Sequence, residues 1–450
     1  MSARLCSPAV DLPPDDLLLE VFLRLPPEPR HLYAVSRVCR CWRRLVRSPA
    51  FLCRFRAFHR TPPVLGIFQN TPSSGGCFRF FPTNNPGAGL SQRQIFQDGA
   101  CDVLDCRHGL VLLIDYDDEE LFVWDPMDDE VETLSLPGEL PEVDFAGAVV
   151  CAAGHEDHTD CHSCGPFQVI LMEWRPDEAG DDEYYATGCV YSSETEEWSE
   201  WTSITFPADI SCQASALVGD SVYWKLKLTE EGSQHVLEFD LSRQTWDTIE
   251  LPDEVSEMYM SGIRIMPAED GGLGFAGVSG SSIHLWSRMI VSDVVEEWEL
   301  VRKIDMDTLT LSGVPAGDML SWSSVVGYAE DSNVLFLKSD AGVFMINLER
   351  MQLKKVCHEN NFNPFCERNS VIYPYSSFYT PGCDIAGIDV KDVRYGIKYE
   401  RKKKRAASQV EAAGPSVSLP ADNIRTSGSA LTLEKVRRAL PDMNDRLDRS

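Results

Sequence analysis

Five side chains of the types that bind zinc, His155, His158, Cys161, His162 and Cys164, fall within ten residues of this chain. Imidazole and thiolate are the donors of structural zinc sites. Their spacing is irregular, however, and no second Cys-x-x-Cys pair completes a ligand frame, so an acidic, cysteine-bearing loop is the simpler reading and a metal site the alternative. Gly272-Leu273-Gly274-Phe275-Ala276-Gly277 has the glycine spacing of a pyrophosphate loop, but the next residues, Val278 to Trp286, read as turn and strand. Without a helix N-terminus to follow, nothing would hold the phosphates. Gly219-Asp220-Ser221 offers a serine with no histidine or aspartate that the sequence can position beside it, and a hairpin turn accounts for the three residues. No carboxylate pair stands out among 70 acidic residues. The expectation is a chain with no catalytic residues and no cofactor.

The elements that would carry such residues form two groups. From about residue 61, short β-type runs alternate with Gly, Asp, Asn, Ser and Pro. Five copies of one pattern recur there: a turn-favouring residue (Asp125, Ser192, Asp240, Ser292, Asn347) stands six positions before an apolar one (Val131, Trp198, Trp246, Trp298, Leu353). That spacing predicts a hairpin at each copy, with the polar residue bending the chain and the apolar one opening the return strand. The copies lie 67, 48, 52 and 55 residues apart, near the period of kelch-type propeller blades of four strands each. Ala216-Leu217-Val218 and Ser221 to Leu226, separated by Gly219-Asp220, supply upstream partner strands for one such hairpin. Six blades are expected, with the run at Val64 to Phe68 and the late run at Val371 to Tyr375 pairing to close the ring.

Before residue 60 the period is helical. Leu17, Leu18, Val21, Phe22 and Leu25 follow one stripe, behind Asp15 and Asp16 at a helix start and ahead of Pro26-Pro27, which stop it. Leu32, Val35, Val38, Cys39, Trp42, Leu45 and Val46 predict one or two further short helices, with Phe51, Leu52 and Phe55 extending the packing. Fifty residues cannot bury this much apolar surface alone, so the surplus is expected to face a partner.

Charge divides the same way. The net charge is -29, but residues 1–60 carry 11 basic and 5 acidic groups, and residues 398–450 carry 12 and 7. The middle therefore holds 18 basic against 58 acidic residues. Such a surface repels nucleic acid and anionic membranes and attracts basic partners, unless the acids serve only solubility. No run reaches the length of a membrane span, the N-terminus lacks the apolar core of a signal peptide, and 15 scattered cysteines fit reduced thiols in the cytoplasm or nucleus. After Tyr399, Arg401-Lys402-Lys403-Lys404-Arg405 precedes an Ala-, Ser-, Gly- and Pro-rich stretch expected to be disordered; the pentamer reads as a nuclear-import candidate or as a solvated charge run.

The N-terminal pattern resembles the F-box: Leu12-Pro13, the Leu17 to Leu25 helix, Leu25-Pro26, Val38-Cys39-Arg40-Cys41-Trp42-Arg43, and Ser48-Pro49-Ala50-Phe51 occur in the family's order over residues 8–56. The middle resembles the F-box-associated β domains of plant-type F-box proteins, although the paired glycines of a strict kelch blade are missing. The resemblance implies an α+β multidomain chain: an all-α F-box module at 8–56, an all-β propeller at 61–397 and a basic tail at 398–450. It further implies docking onto the Skp-type adaptor of a Skp-cullin-F-box ubiquitin ligase through Leu12, Pro13, Leu17, Val21, Leu25, Pro26, Val38 and Trp42. Propeller loops would bind a target protein, with a basic one favoured by charge. The alternative implied is a non-degradative interaction scaffold with F-box-like helices.

Overall fold

The computed structural model describes residues 15–70, 78–83, 101–127, 130–138, 144–152, 165–177, 183–211, 214–227, 229, 232–258, 263–292, 295–309, 311–312, 322–358 and 371–379. Four helices come first: α1 (Asp15–Leu23), α2 (Pro29–Val38), α3 (Arg40–Val46) and α4 (Pro49–His59). Helix α1 stops ahead of Pro26-Pro27, as the proline rule requires. Beyond it the Leu32 to Val46 pattern forms two helices, within the expected one or two, and α4 carries Phe51, Leu52 and Phe55. The break between α2 and α3 is local: Cys39 is extended at φ -159° and its sulfur accepts the Trp42 N–H at 3.4 Å, which caps a new helix after α2. Ser48 repeats the device, its hydroxyl accepting the Phe51 N–H at 3.4 Å ahead of Pro49 in the first turn of α4.

The strands form six sheets, numbered here β1 to β25 in chain order. Blade one joins β1 (Val64–Asn70) and β2 (Phe78–Pro82) to the last described strand, β25 (Ile372–Ser376). Blade two is β3 (Cys101–Arg107), β4 (Leu110–Asp115), β5 (Glu120–Asp125) and β6 (Glu130–Ser135). Blade three is β7 (Asp144–Cys151), β8 (Phe167–Pro176) and β9 (Tyr184–Ser192), with β10 (Glu197–Trp198) and β11 (Thr202–Phe206) both paired to β9. Blade four runs β12 (Ala216–Val218), β13 (Ser221–Lys225), β14 (His235–Asp240), β15 (Thr245–Glu250). Blade five runs β16 (Ile263–Pro267), β17 (Leu273–Ser279), β18 (Ser282–Ser292), β19 (Val295–Asp305). Blade six has β20 (Leu311–Ser312) lying parallel on β24 (Gln352–His358), followed inward by β23 (Gly342–Asn347), β22 (Val334–Ser339) and β21 (Trp322–Ala329).

Both faces of each sheet are apolar, so each must be covered by a neighbour. Six separate apolar clusters do this, one for each pair of adjacent blades, from Phe68 against Val111 and Phe122 round to Phe336 and Val343 against Ile67 and Ile372. The ring closes as expected: β1 pairs antiparallel with β25, Phe68 opposite Tyr373 and Gln69 opposite Ile372. This is a six-bladed propeller.

The repeated spacing of six also has its structural cause. Asp240 faces Thr245 and Asn347 faces Gln352 across four-residue loops, and the side-chain oxygen of each accepts two backbone N–H groups within its loop. Gln244 and Met351 take φ of 53° to finish the turn. Ser192 and Asp125 open loops of the same length. The fourth copy departs from the expectation: Ser292 pairs with Val295 and Trp298 with Arg288, so Trp298 sits inside a longer hairpin.

The tryptophans of these copies fasten blade to blade. Trp198 donates its indole N–H to the Ser135 carbonyl of blade two at 2.9 Å. Trp246 donates to the Thr202 hydroxyl of blade three at 2.9 Å, and Trp298 to the Glu250 carbonyl of blade four at 3.2 Å. None of the described helices is long and apolar enough to cross a membrane.

Candidate protein-docking interface

Helix α1 is apolar on two sides, and only one of them is used by the fold. Leu18, Phe22 and Leu23 enter the helical core, while Leu17 and Val21, one turn apart, are each 59% exposed. Val38 at the end of α2 is 61% exposed. Cys41, at the start of α3, lies 3.9 Å from Asp15, which brings the α2–α3 junction to the Leu17 end of α1. A small domain rarely leaves such side chains together in water without a partner to cover them. Pro26 is exposed as well, whereas Leu25 and Trp42 are half-buried in the helical core. Trp42 meets Phe22 edge to face at 5.0 Å, so these two support the surface from beneath. Leu12 and Pro13 lie outside the described residues.

Charge on this module is arranged around the apolar side chains. Arg24 and Arg54 grip Glu20 at 2.7 and 2.8 Å, and their hydrogen bonds hold its carboxyl below the usual carboxylate range. Arg44 reaches toward Asp15 at 3.9 Å. His59 Nε2 lies 3.1 Å from the Leu23 carbonyl, and burial lowers its pKa despite that contact.

The helices are mounted on the ring at its closure. Phe378 and Tyr379, just past β25, complete the helical core, and the Phe55 and Phe378 rings meet at 6.4 Å. Ser332 of blade six donates to the Pro62 carbonyl at 2.6 Å, and the Ser377 N–H to the Pro63 carbonyl at 3.3 Å. The interface is therefore held by the strand that closes the propeller.

A second polar cluster, which the sequence reading did not single out, fills the ring's centre. Arg107 of blade two binds Asp105, Glu330 of blade six at 2.9 Å and the Ser215 carbonyl beside blade four at 2.6 Å. Glu330 also accepts the Leu217 N–H at 2.8 Å, Asp105 accepts the Val149 N–H of blade three at 2.9 Å, and Arg264 of blade five donates to the Ser215 carbonyl at 3.0 Å. Burial pushes Asp105 up to about 6 against the pull of Arg107, and draws Arg264 down to about 10. Arg107, although buried, is held protonated by Asp105 and Glu330. The cavity beside these groups is about 20 Å³, the space of a single water, so among the described residues the cluster works as an axle between blades. The only advance signal was Asp105-x-Arg107, opposite charges two positions apart on a strand whose one other charged residue is Asp102.

The other sequence candidates fall as follows. Gly272 to Gly277 run into β17 and on to a turn at Gly280, with no helix after them, which excludes a pyrophosphate seat. Gly219 has φ 59° and makes the turn between β12 and β13. His155, His158, Cys161, His162 and Cys164, and the basic run Arg401, Lys402, Lys403, Lys404 and Arg405, lie outside the described residues.

Comparison with known proteins agrees with this geometry. Residues 102–382, more than half of the chain, match the family described as F-box protein AT5G49610-like, beta-propeller, and residues 11–58 match the F-box-like family. No curated protein matches. Similar solved structures include TolB from Acinetobacter baumannii, at 9% identity and TM-score 0.33, covering 69% of both chains. A Pyrococcus horikoshii acylaminoacyl peptidase is 9% identical with TM-score 0.34, and the likeness covers 65% of this chain and 46% of the peptidase.

Proposed function

We propose, because the chain belongs to the family of F-box proteins with an AT5G49610-like β-propeller, that it is a substrate receptor of a Skp-cullin-F-box ubiquitin ligase. It acts inside the cell, in cytoplasm or nucleus. The observation that carries the reading is the exposure of Leu17, Val21 and Val38 on helices whose opposite faces are already packed. That surface would dock on a Skp-type adaptor, and through it on a cullin. Pro26 would sit at its edge, and Leu12 and Pro13 would extend it. Leu25 and Trp42 would shape it from below.

The receptor itself performs no chemistry. Its physical contribution is proximity: a target held by the propeller experiences a raised effective concentration of the ubiquitin-carrying enzyme. The seating of α4 on Phe378 serves that role, since a fixed angle between helices and ring fixes where the target's lysines are presented. The acidic excess of the middle of the chain favours a basic target.

The test is calorimetry of the full chain with a purified Skp-type adaptor, alongside Leu17→Asp and Val21→Asp. Binding by the wild type that falls about a hundredfold or more in either variant, at unchanged melting temperature, supports the reading. An intact chain that ignores the adaptor refutes it.

A further inference from the structure

Between blades five and six the propeller opens a pocket of about 390 Å³, within the size range of sites that accept a side chain or small ligand. Its walls come from Leu285, Trp286 and Ser287 of β18, Val301 and Arg302 of β19, and the turn carrying Glu349. Three features mark it as more than a packing gap. Ser287 is 3% exposed, and its hydroxyl has no hydrogen-bond partner, a cost that native cores rarely leave uncompensated. The β18–β19 ladder slips at this point: Leu285 faces Arg302 and Trp286 faces Leu300, so Val301 is an extra residue that bulges out of register. Such bulges re-aim side chains and recur beside binding sites. Val301, which lines the pocket, is 47% exposed, and its neighbour Leu300 is 40% exposed.

Charge selects the occupant. The pocket's one cation among the described residues, Arg302, is already engaged by Glu269 at 3.0 Å and by the Met351 sulfur at 3.3 Å. Glu349 forms no ion pair among the described residues, and the surrounding chain is strongly acidic. A cation is therefore wanted, and Trp286, stacked at 5.6 Å on Phe275, supplies an aromatic wall. Lysine offers a compact, strongly hydrated charge. Arginine offers a flat guanidinium that packs on aromatic rings and carries five donors for acceptors such as the Ser287 oxygen and the Glu349 carboxylate.

We propose that this pocket is the propeller's recognition site for an arginine side chain in a basic segment of the target protein. The proposal rests on the receptor reading for its biological meaning, but its test does not. Fluorescence anisotropy with the full chain would use labelled Gly-Ser peptides that carry one central arginine flanked by lysines, with lysine- and citrulline-centred copies as controls. The arginine peptide is expected to bind, with a loss of about tenfold or more for either control and for Glu349→Lys. Ser287→Leu, which removes the hydroxyl and narrows the pocket, is expected to abolish binding. Because that change sits inside a sheet, Glu349→Lys, on an exposed turn, is the primary variant. Absence of binding by the wild type, or binding indifferent to Glu349→Lys and to citrulline, overturns the proposal. Adaptor binding measured on the same samples separates the two ideas: loss of adaptor binding with peptide binding intact removes the receptor reading and leaves the pocket standing.

Discussion

Neighbouring residues of α1 have opposite duties, and the sequence stripe could not tell them apart. Leu17 and Leu18 are the same amino acid, yet Leu18 is buried beneath the helix and Leu17 points to water. Phe22→Ala should therefore cost about 3–5 kcal/mol of stability, the usual penalty for emptying a packed aromatic site, whereas Leu17→Ala should leave the urea midpoint within error. Equal losses for both would mean that Leu17 is a core residue after all. At the ring centre, Asp105 makes a second residue-scale prediction. Its carboxyl, raised to about 6 by burial, stays protonated in the folded chain at pH values where an unfolded aspartate, near 3.9, has released its proton. The folded state gains in that window, and the gain disappears as pH rises through about 6. The wild type should lose stability between about pH 4 and 6 relative to Asp105→Asn, which has nothing to titrate. Parallel pH profiles for the two proteins would remove Asp105 as the titrating group.

Among the elements, the hairpins were legible and their fastenings were not. A polar residue six positions before an apolar one dictates a four-residue loop because the side-chain oxygen of Asp240 or Asn347 can reach the N–H groups two and three residues on. That is local chemistry, so one sequence suffices to read it. Ser292 shows the limit: the same spacing accompanies a different register, because long strands on either side fix the pairing before the turn does. The bonds from Trp198, Trp246 and Trp298 to the preceding blade join residues 44 to 63 positions apart, and no period reveals them. Replacing any one by Phe keeps most of the ring and removes one hydrogen bond, so each should cost about 0.5–1.5 kcal/mol. The three sites lie on different blades, which makes their effects additive in a triple variant. A triple variant no less stable than its parent would show the bonds to be incidental. The axle of Arg107, Glu330 and Arg264 escaped the sequence for the same reason, since its partners come from five blades. His155 to Cys164 stay outside the described residues, and metal content measured on the purified chain is the direct way to decide between loop and zinc site.

At the scale of the whole molecule, one strand performs two tasks. β25 pairs with β1 to close the ring, and the residues that leave it, Phe378 and Tyr379, are part of the helical core. The sequence foretold the first task from an apolar run near residue 371, but not the second, because Phe378 and Phe55 are separated by more than three hundred positions. Closure and mounting are consequently coupled: the helices cannot be firmly seated unless the last strand is in place. Phe378→Ala should loosen α1 to α4 by about 3–5 kcal/mol without opening the blades whose own clusters are intact. Hydrogen exchange reads this directly. Amides of α1, α2, α3 and α4 should exchange faster in the variant, while those of β7 to β9 and β13 to β15 keep the protection of the parent. Uniform acceleration over the whole chain would instead mean that ring and helices unfold as one unit. Unchanged exchange would mean that the helices hold their place without the closing strand. If the helices alone loosen, the surface proposed to dock the adaptor remains chemically complete but loses its fixed angle to the propeller. On the proposed receptor reading, adaptor binding should then persist while ubiquitin transfer to a propeller-bound target weakens, because proximity helps only when both ends are held.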